Sequence, residues 1–374
     1  MAKPVSGIPV FPTESRSVSV RALEEELASL WKSVAEARDP SGSTPVTRAA
    51  LLTLIAVVPG DDAAQWMAAA VGRLTEGTPC RAIIVQLESA GGVPEPLAAF
   101  VSAHCHRVAG GRQVCCEQVT IRATPAGDAH LSNLVLPLLL PDLPVVLYWP
   151  EVALMMAPEA RPVEPARGAQ FLCDLDPFVD QVILDSALAA ETGAFLSRAL
   201  ALAERPQGPG MRPIDLNWVR LLPWREALAD AVDQCSIDPM TIIGATIETI
   251  SQPGGSLPVR PRLLAGWLRE RLARSTGGAF RATISPVAGE GPAGRIVGVQ
   301  FDIAGGQSMA IQMESGALVV THAGGDPIRI PRPIDPDDDL LCRVIERRET
   351  DAYFVRALRM AAADDSDGAI DPGP

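Results

Sequence analysis

An α/β N-terminal domain, with a mostly parallel sheet and helices on both faces, followed by an α+β C-terminal domain with an antiparallel meander, is the fold this sequence predicts. Three observations predict it. Short apolar runs alternate with helical stripes from about residue 48 to 205, the pattern of a sheet covered on both faces. Arg205-Pro-Gln-Gly-Pro-Gly210 then has linker composition. Beyond residue 280, three strand-like runs follow one another across hairpin-sized, glycine-rich connections. A chain of 374 residues also exceeds one ordinary core. The boundaries read as an extended arm over 1–17, the α/β domain over 18–205, the α+β domain over 211–360 and a disordered acidic tail over 361–374.

The arm carries Pro4, Pro9 and Pro12, and Ser19 is placed to cap a first helix. Leu23, Leu27, Leu30, Trp31 and Val34 form one apolar stripe on that helix, which Asp39-Pro-Ser-Gly42 breaks. Leu51–Val58 reads as a buried strand closed by Pro59-Gly60, and Asp61 begins a helix that Gly77 ends. Arg81–Leu87 and Val114–Ala123 are further strands. In the second, Val114, Cys116, Gln118, Thr120 and Arg122 alternate with Cys115, Glu117, Val119 and Ile121. Neither face is wholly apolar, which predicts a sheet edge or a site. A helix over Leu131–Leu140, strands at Pro144–Trp149 and Val182–Asp185, and a helix over Glu191–Glu204 complete the α/β part.

Past the linker, a helix is expected over Leu216–Val232, a strand at Thr241–Ile250 and a helix at Arg262–Arg274. Strands follow at Phe280–Val287, Arg295–Ile303 and Ser308–Thr321, and a last helix at Asp351–Met360.

Composition narrows the function. The net charge is −13 and aromatics are 4%, so a nucleic-acid coat and a base-stacking platform are both disfavoured. The same charge disfavours adhesion to anionic lipid. The most apolar stretch, Leu131–Pro158, is interrupted by Pro137, Pro141, Asp142, Pro144 and Pro150, and the N-terminus lacks a signal-type apolar run. Seven irregularly spaced cysteines without CxxC make a disulfide framework improbable, which points to a reducing cytoplasm.

No catalytic constellation assembles. Gly289-Glu-Gly-Pro-Ala-Gly294 matches GxGxxG, but Pro292 interrupts it and Arg295-Ile-Val-Gly-Val-Gln reads as a strand, so a hairpin turn is the better reading. His104-Cys-His106 and Cys115-Cys116 hold potential metal ligands, yet adjacent strand residues project to opposite faces. Packing is their plain reading, and a thiol switch at Cys115 or Cys116 the redox one. Asp174, Asp176, Asp180 and Asp185 suit a carboxylate-held cation but lack a phosphate-cradling glycine loop. No GxSxG is present, and His104, His106, His130 and His322 lack triad context. Catalytic residues, cofactors and metals are therefore all expected to be absent.

Two segments have interface character. Arg260, Arg262, Arg269, Arg271, Arg274 and Arg281 are opposed locally by Glu270. They form either a solvated face or a docking patch for an acidic partner or a phosphorylated metabolite. Asp215–Glu226 combines Trp218 and Trp224 with Asn217, Arg220 and Arg225. These residues are either interface anchors or the filling of the junction between domains.

The chain resembles the OpcA family, the glucose-6-phosphate dehydrogenase assembly proteins. The resemblance rests on Leu23-Glu-Glu-Glu-Leu-Ala-Ser-Leu-Trp31, Thr78-Pro-Cys-Arg-Ala-Ile-Ile-Val85, Arg112-Gln-Val-Cys-Cys-Glu-Gln-Val-Thr-Ile121, Leu136–Val146 running on to Tyr148-Trp-Pro150, and Asp215–Arg225, in that order. It implies a non-catalytic protein of the oxidative pentose phosphate pathway that binds glucose-6-phosphate dehydrogenase and promotes its active oligomer, an activation linked to thioredoxin in photosynthetic relatives. On that reading Asn217, Trp218, Arg220, Trp224, Arg225, Arg262, Arg269 and Arg271 are the candidate partner-binding residues. The alternatives are a sugar-phosphate or nucleotide-sugar enzyme using Asp174, Asp176 and Asp185, and a thiol redox sensor.

Overall fold

Runs of apolar residues without alternation become strands covered on both faces, and alternating runs become strands with one face in water. Both kinds occur here, in two separate sheets. The computed structural model describes residues 16–18, 23–36, 46–89, 96–107, 113–150, 167–189, 191–205, 210–251, 257–273, 280–322, 324–331, 337–347 and 351–366. Ser19, Arg274, residues 206–209 of the linker and most of the N-terminal arm lie outside them.

The first sheet opens with β1 (Arg16–Val18), followed by α1 (Leu23–Glu36), β2 (Val46–Arg48) and β3 (Leu52–Pro59). Seven consecutive residues of β3 are buried, so its continuous apolar run has both faces covered. Gly60, at φ +64°, turns the chain into α2 (Gly60–Gly77), which leads to β4 (Cys80–Leu87). Next come β5 (Leu97–Arg107), β6 (Gln113–Ala123), α3 (Leu131–Val135), β7 (Val145–Tyr148), α4 (Ala169–Leu175), β8 (Gln181–Leu184), α5 (Thr192–Ala203) and β9 (Arg212–Asp215). The strand order is β1-β5-β6-β4-β3-β7-β8-β9, with β2 also on β6. Every ladder among β3, β4 and β6 to β9 is parallel, and only β1 and β5 run against their neighbours.

The second sheet is mixed and mostly antiparallel. After α6 (Leu216–Arg220) and α7 (Leu222–Gln234) come β10 (Ile242–Ile250), α8 (Val259–Leu272), β11 (Arg281–Val287), β12 (Ile296–Ile303), β13 (Gln307–Glu314), β14 (Ala317–His322) and β15 (Ile328–Pro331). The order is β11-β10-β12-β13-β14-β15. Two helices close the described chain, α9 (Asp337–Arg347) and α10 (Ala352–Ser366). α9 sets Leu341 and Ile345 against Met67, Val71 and Leu74 of α2, so a late segment returns to the first sheet. α10 lies along α8, where Gly266 leaves a notch: a Cβ there would stand 2.3 Å from the Ala357 carbonyl oxygen. One contiguous core joins both sheets.

Several expectations need correction. β6 is interior, flanked by β5 and β4, so its mixed faces mark a buried polar site and not an edge. β5 was not anticipated because Ala98, Ala99 and Ala103 carry little strand propensity. β9 was missed because Pro213 argues against a strand, but β9 is an edge, where a missing N–H is tolerated. The helix expected over Leu131–Leu140 stops at Val135, and a single tighter turn containing Pro137 follows. Leu216–Val232 is two helices, the second starting with Pro223 in its first turn. Ser308–Thr321 is a hairpin: Ser315 and Gly316 have φ of +44° and +77°, the paired positive values of a two-residue turn. The meander excludes β11, which pairs in parallel with β10, so Gly289–Gly294 lies in a connection between strands that are not neighbours. α10 continues to Ser366, with Ala361 buried, beyond the point where composition places the tail.

Candidate partner-binding site

Asp215 ends β9 and caps α6, accepting from the Asn217 N–H at 3.1 Å. It also accepts from the Ser186 N–H at 2.9 Å and the Ser186 hydroxyl at 2.5 Å. Burial, with the nearby charge of Asp185, lifts its carboxyl to about 6 against the pull of these bonds. The Asn217 amide donates to Ser186 Oγ at 2.9 Å, and its oxygen accepts from Arg260 Nε at 2.8 Å. Arg220 forks onto Asp185 at 2.6 and 2.9 Å. Two of the expected partner-binding residues, Asn217 and Arg220, thus tie the ends of β8 and β9 to the start of α8.

Trp218 also points inward. It is 1% exposed and donates from Nε1 to Asp351 at 2.5 Å. The Arg225 guanidinium lies 3.7 Å from its ring centroid, and Phe354 packs at 5.8 Å. Burial brings Arg225 down to about 10, although Asp351 and Glu226 work the other way. Asp351 accepts from the N–H groups of Tyr353 and Phe354 at 2.8 and 3.3 Å and so caps α10. One residue further out the surface begins. Tyr353 is 42% exposed, with the Arg271 guanidinium 4.0 Å from its ring centroid and Arg356 at 5.5 Å. Glu270 pairs with Arg356 at 3.1 Å and with Arg271 at 3.6 Å.

The two segments singled out in the sequence therefore meet at the start of α10. Their residues divide by orientation. Trp224 is buried in the core, Arg262 is half-buried, and Arg269 donates to the Ala282 carbonyl at 2.7 Å. Arg281 stands exposed on β11. The arginine run is thus not one patch; Arg271 is its member at the exposed cluster. Tyr353, Arg356 and Asp351 were missed. Their one sequence signal is an Asp ahead of a helix with Tyr and Arg three residues apart, which share a face.

The cysteines resolve differently from expectation. Cys105 and Cys115, opposite one another on β5 and β6, form a disulfide. Cys116 projects to the other face, is buried, and has its thiol raised to about 11 mainly by burial, which disfavours the reactive thiolate form. Cys80 is raised further by the same cause. His104 bonds Gln118 at 2.9 Å, and among the described residues no group of His, Cys, Asp or Glu is arranged to hold a metal ion. Beside the disulfide, the buried Glu117 accepts from Trp31 Nε1 at 2.8 Å and Arg48 Nη2 at 2.9 Å, and from Arg81 Nε. This is the polar site that the mixed faces of β6 marked.

The order β6-β4-β3-β7-β8-β9 is that of dinucleotide-binding sheets, which hold ligands at the carboxyl ends of their strands. Here α2 begins Gly60-Asp61-Asp62, and Asp61 is bonded to Gln86 at 2.9 Å and Arg122 at 3.0 Å. Arg167 spans the ends of β4 and β6, donating to the carbonyls of Glu88 and Ala123 and to Asp128 at 2.8 Å. A pyrophosphate at α2 would meet carboxylates in place of bare N–H groups. Asp174 is held by Ser132 and Gln170, Asp176 by Arg205 and Asp185 by Arg220, so these three carboxylates do not share a site.

Comparison with known proteins agrees with the motifs. Residues 72–200 match the glucose-6-phosphate dehydrogenase subunit N-terminal domain of OpcA proteins, and residues 212–358 the C-terminal domain. The OxPP cycle protein OpcA of Nostoc punctiforme is 30% identical over 52% of this chain and 38% of its own length. That of Synechocystis is 28% identical over 43% of this chain and 30% of its own. The matched stretch is thus under two fifths of these relatives. Solved structures overlap loosely. A 3-ketoreductase from Actinomadura kijaniata has a TM-score of 0.43 at 11% identity, covering 84% of this chain and 96% of its own. A glucose-6-phosphate dehydrogenase bound to its substrate has 0.41 at 10%, covering 88% and 94%. Those overlaps carry nothing about activity. Two family models that together match residues 72–200 and 212–358 place the chain in the OpcA family of glucose-6-phosphate dehydrogenase assembly proteins.

Proposed function

We propose that this chain is a non-catalytic subunit that binds glucose-6-phosphate dehydrogenase and promotes its active oligomer. Its contact surface is the exposed cluster of Tyr353, Arg271 and Arg356, backed by Arg225 and Trp218. The observation that carries this reading is the meeting of α8 and α10 at one exposed aromatic ring, Tyr353, gripped by Arg271 and Arg356, beside the buried Trp218 ring that Arg225 of α7 covers. Tyr and Arg are the residue types that anchor interfaces. On a chain of net charge −13 a local basic surface selects an acidic face of a partner. Activation requires only that this surface bind the active assembly of the dehydrogenase better than the inactive one.

The test is the rate and assembly size of the dehydrogenase from the same organism, with and without this chain. The wild-type chain is expected to enlarge the assembly or lower the apparent KM, and alone to reduce no NADP. The R271E/Y353A variant is expected to weaken binding more than ~10-fold with the fold intact. Unchanged binding by that variant would reject this surface, and no complex with the wild type would reject the function.

A further inference from the structure

Among the described residues, the second sheet is covered on one face only. Its inward residues, among them Ile247, Phe301, Ile311 and Val320, are buried. Strand register fixes what faces outward. Thr283, Thr246, Gln300, Ala310 and Thr321 stand in one row across five strands. Ser285, Glu248, Gly298, Gln312, Val319 and Arg329 stand in the next. Thr283, Gln300, Gln312 and Thr321 are exposed, and Thr246, Ala310 and Val319 half-buried.

We propose that this open face is a two-fold interface with a second copy of this chain. Three properties of the face point to a like partner. Its size fits: six strands at ~4.8 Å and three to four rows at ~6.8 Å give on the order of 700 Å², close to the ~800 Å² each partner gives a stable complex. Its charge fits as well. Two chains of −13 each repel, yet this face sets Arg281 and Arg329 against Glu248, Asp302 and Glu314 and leaves its central row uncharged. The edges, by contrast, are blunted. Pro286 sits in edge strand β11 and Pro331 in edge strand β15, each without an N–H to offer a new strand. Association through this sheet is thereby directed to its face.

The register also selects the axis. A two-fold parallel to the strands, passing over the β12–β13 ladder, lays β12 on the partner's β13 and β10 on its β14. Rows are preserved, so Gln300 meets an alanine, position 310 of the other copy, and Gln312 meets a glycine, position 298. Thr246 meets a threonine, and Glu248 comes beside the arginine at 329. Long side chains face short ones and a carboxylate faces a guanidinium, as an isologous contact between sheets requires.

This inference is independent of dehydrogenase binding, which uses α8 and α10. It is tested by sedimentation velocity of the purified full chain. The wild type is expected to run at twice its 39.5 kDa mass. Gln300→Arg places like charges beside the axis, and Thr321→Arg places one against Thr246 of the other copy. Each is expected to weaken the dimer more than ~10-fold, Gln300→Arg by like-charge repulsion across the axis and Thr321→Arg by burying a bulky unpaired charge against a threonine. Both positions are exposed in one copy, so the fold, checked by circular dichroism, should not change. R271E/Y353A should leave the dimer intact. A wild-type chain that sediments as a monomer at micromolar concentration would overturn the proposal, as would a dimer that survives both arginine substitutions.

Discussion

Two buried carboxylates, Glu117 in β6 and Asp215 at the end of β9, solve one problem in opposite ways. Glu117 is bonded to the arginines Arg81 and Arg48 and to an indole N–H. Asp215 receives only dipoles, from Ser186 and Asn217. The first is an ion pair that fastens α1 and β4 to β6. The second is a cap that holds its proton more tightly than a free aspartate does. Burial alone therefore does not say what a carboxylate does; its partners do.

Removing the first charge should have the largest effect. Glu117→Gln leaves the nearly buried Arg81 guanidinium without its counter-charge, at an expected cost of about 3–5 kcal/mol in urea unfolding. A loss below ~1 kcal/mol would mean that water reaches Arg81 and that the pair is a surface contact. Asp215 predicts a pH effect of opposite character. Its folded value of about 6 lies above the ordinary 3.8, so its contribution is fully present below the unfolded value and is lost as pH rises through 6. Stability should fall by about 3 kcal/mol across that window. Asp215→Asn can keep the Ser186 and Asn217 bonds and should flatten that slope; an unchanged slope would assign it to another group.

The disulfide beside Glu117 sharpens the contrast within β6. Its two cysteines are ten residues apart, so Cys105→Ser should cost about 2–3 kcal/mol in non-reducing buffer and nothing under reductant. Equal loss in both buffers would trace the effect to packing and not to the bond. The smallest effect on stability belongs to the exposed cluster. Arg271→Ala, at a side chain 42% exposed, should change unfolding by less than ~0.5 kcal/mol while weakening the dehydrogenase complex.

How far the sequence could be read follows the same division between local pattern and distant partner. β3 and β4 were legible because both faces are covered and the apolar run is unbroken. β5 was not, because alanines fill much of its buried face; the β13–β14 turn does carry a local signal, Glu314-Ser315-Gly316, inside a run otherwise rich in strand formers. At the candidate site, composition identified the segments Asp215–Glu226 and Arg260–Arg281, and the fold does bring them together. It did not give orientation. Trp218 lies on a helix too short to show a period, and its partner Asp351 is 133 positions away. Long-range pairing of that kind leaves no mark in local spacing.

The notch at Gly266 has a mechanical consequence. Because α10 rests on a missing methyl group, its position along α8 is keyed, and Asp351, Tyr353 and Arg356 travel with it as one rigid tooth. An added side chain at 266 would lift that tooth from its socket at Trp218 and displace the exposed ring without touching any residue that a partner meets.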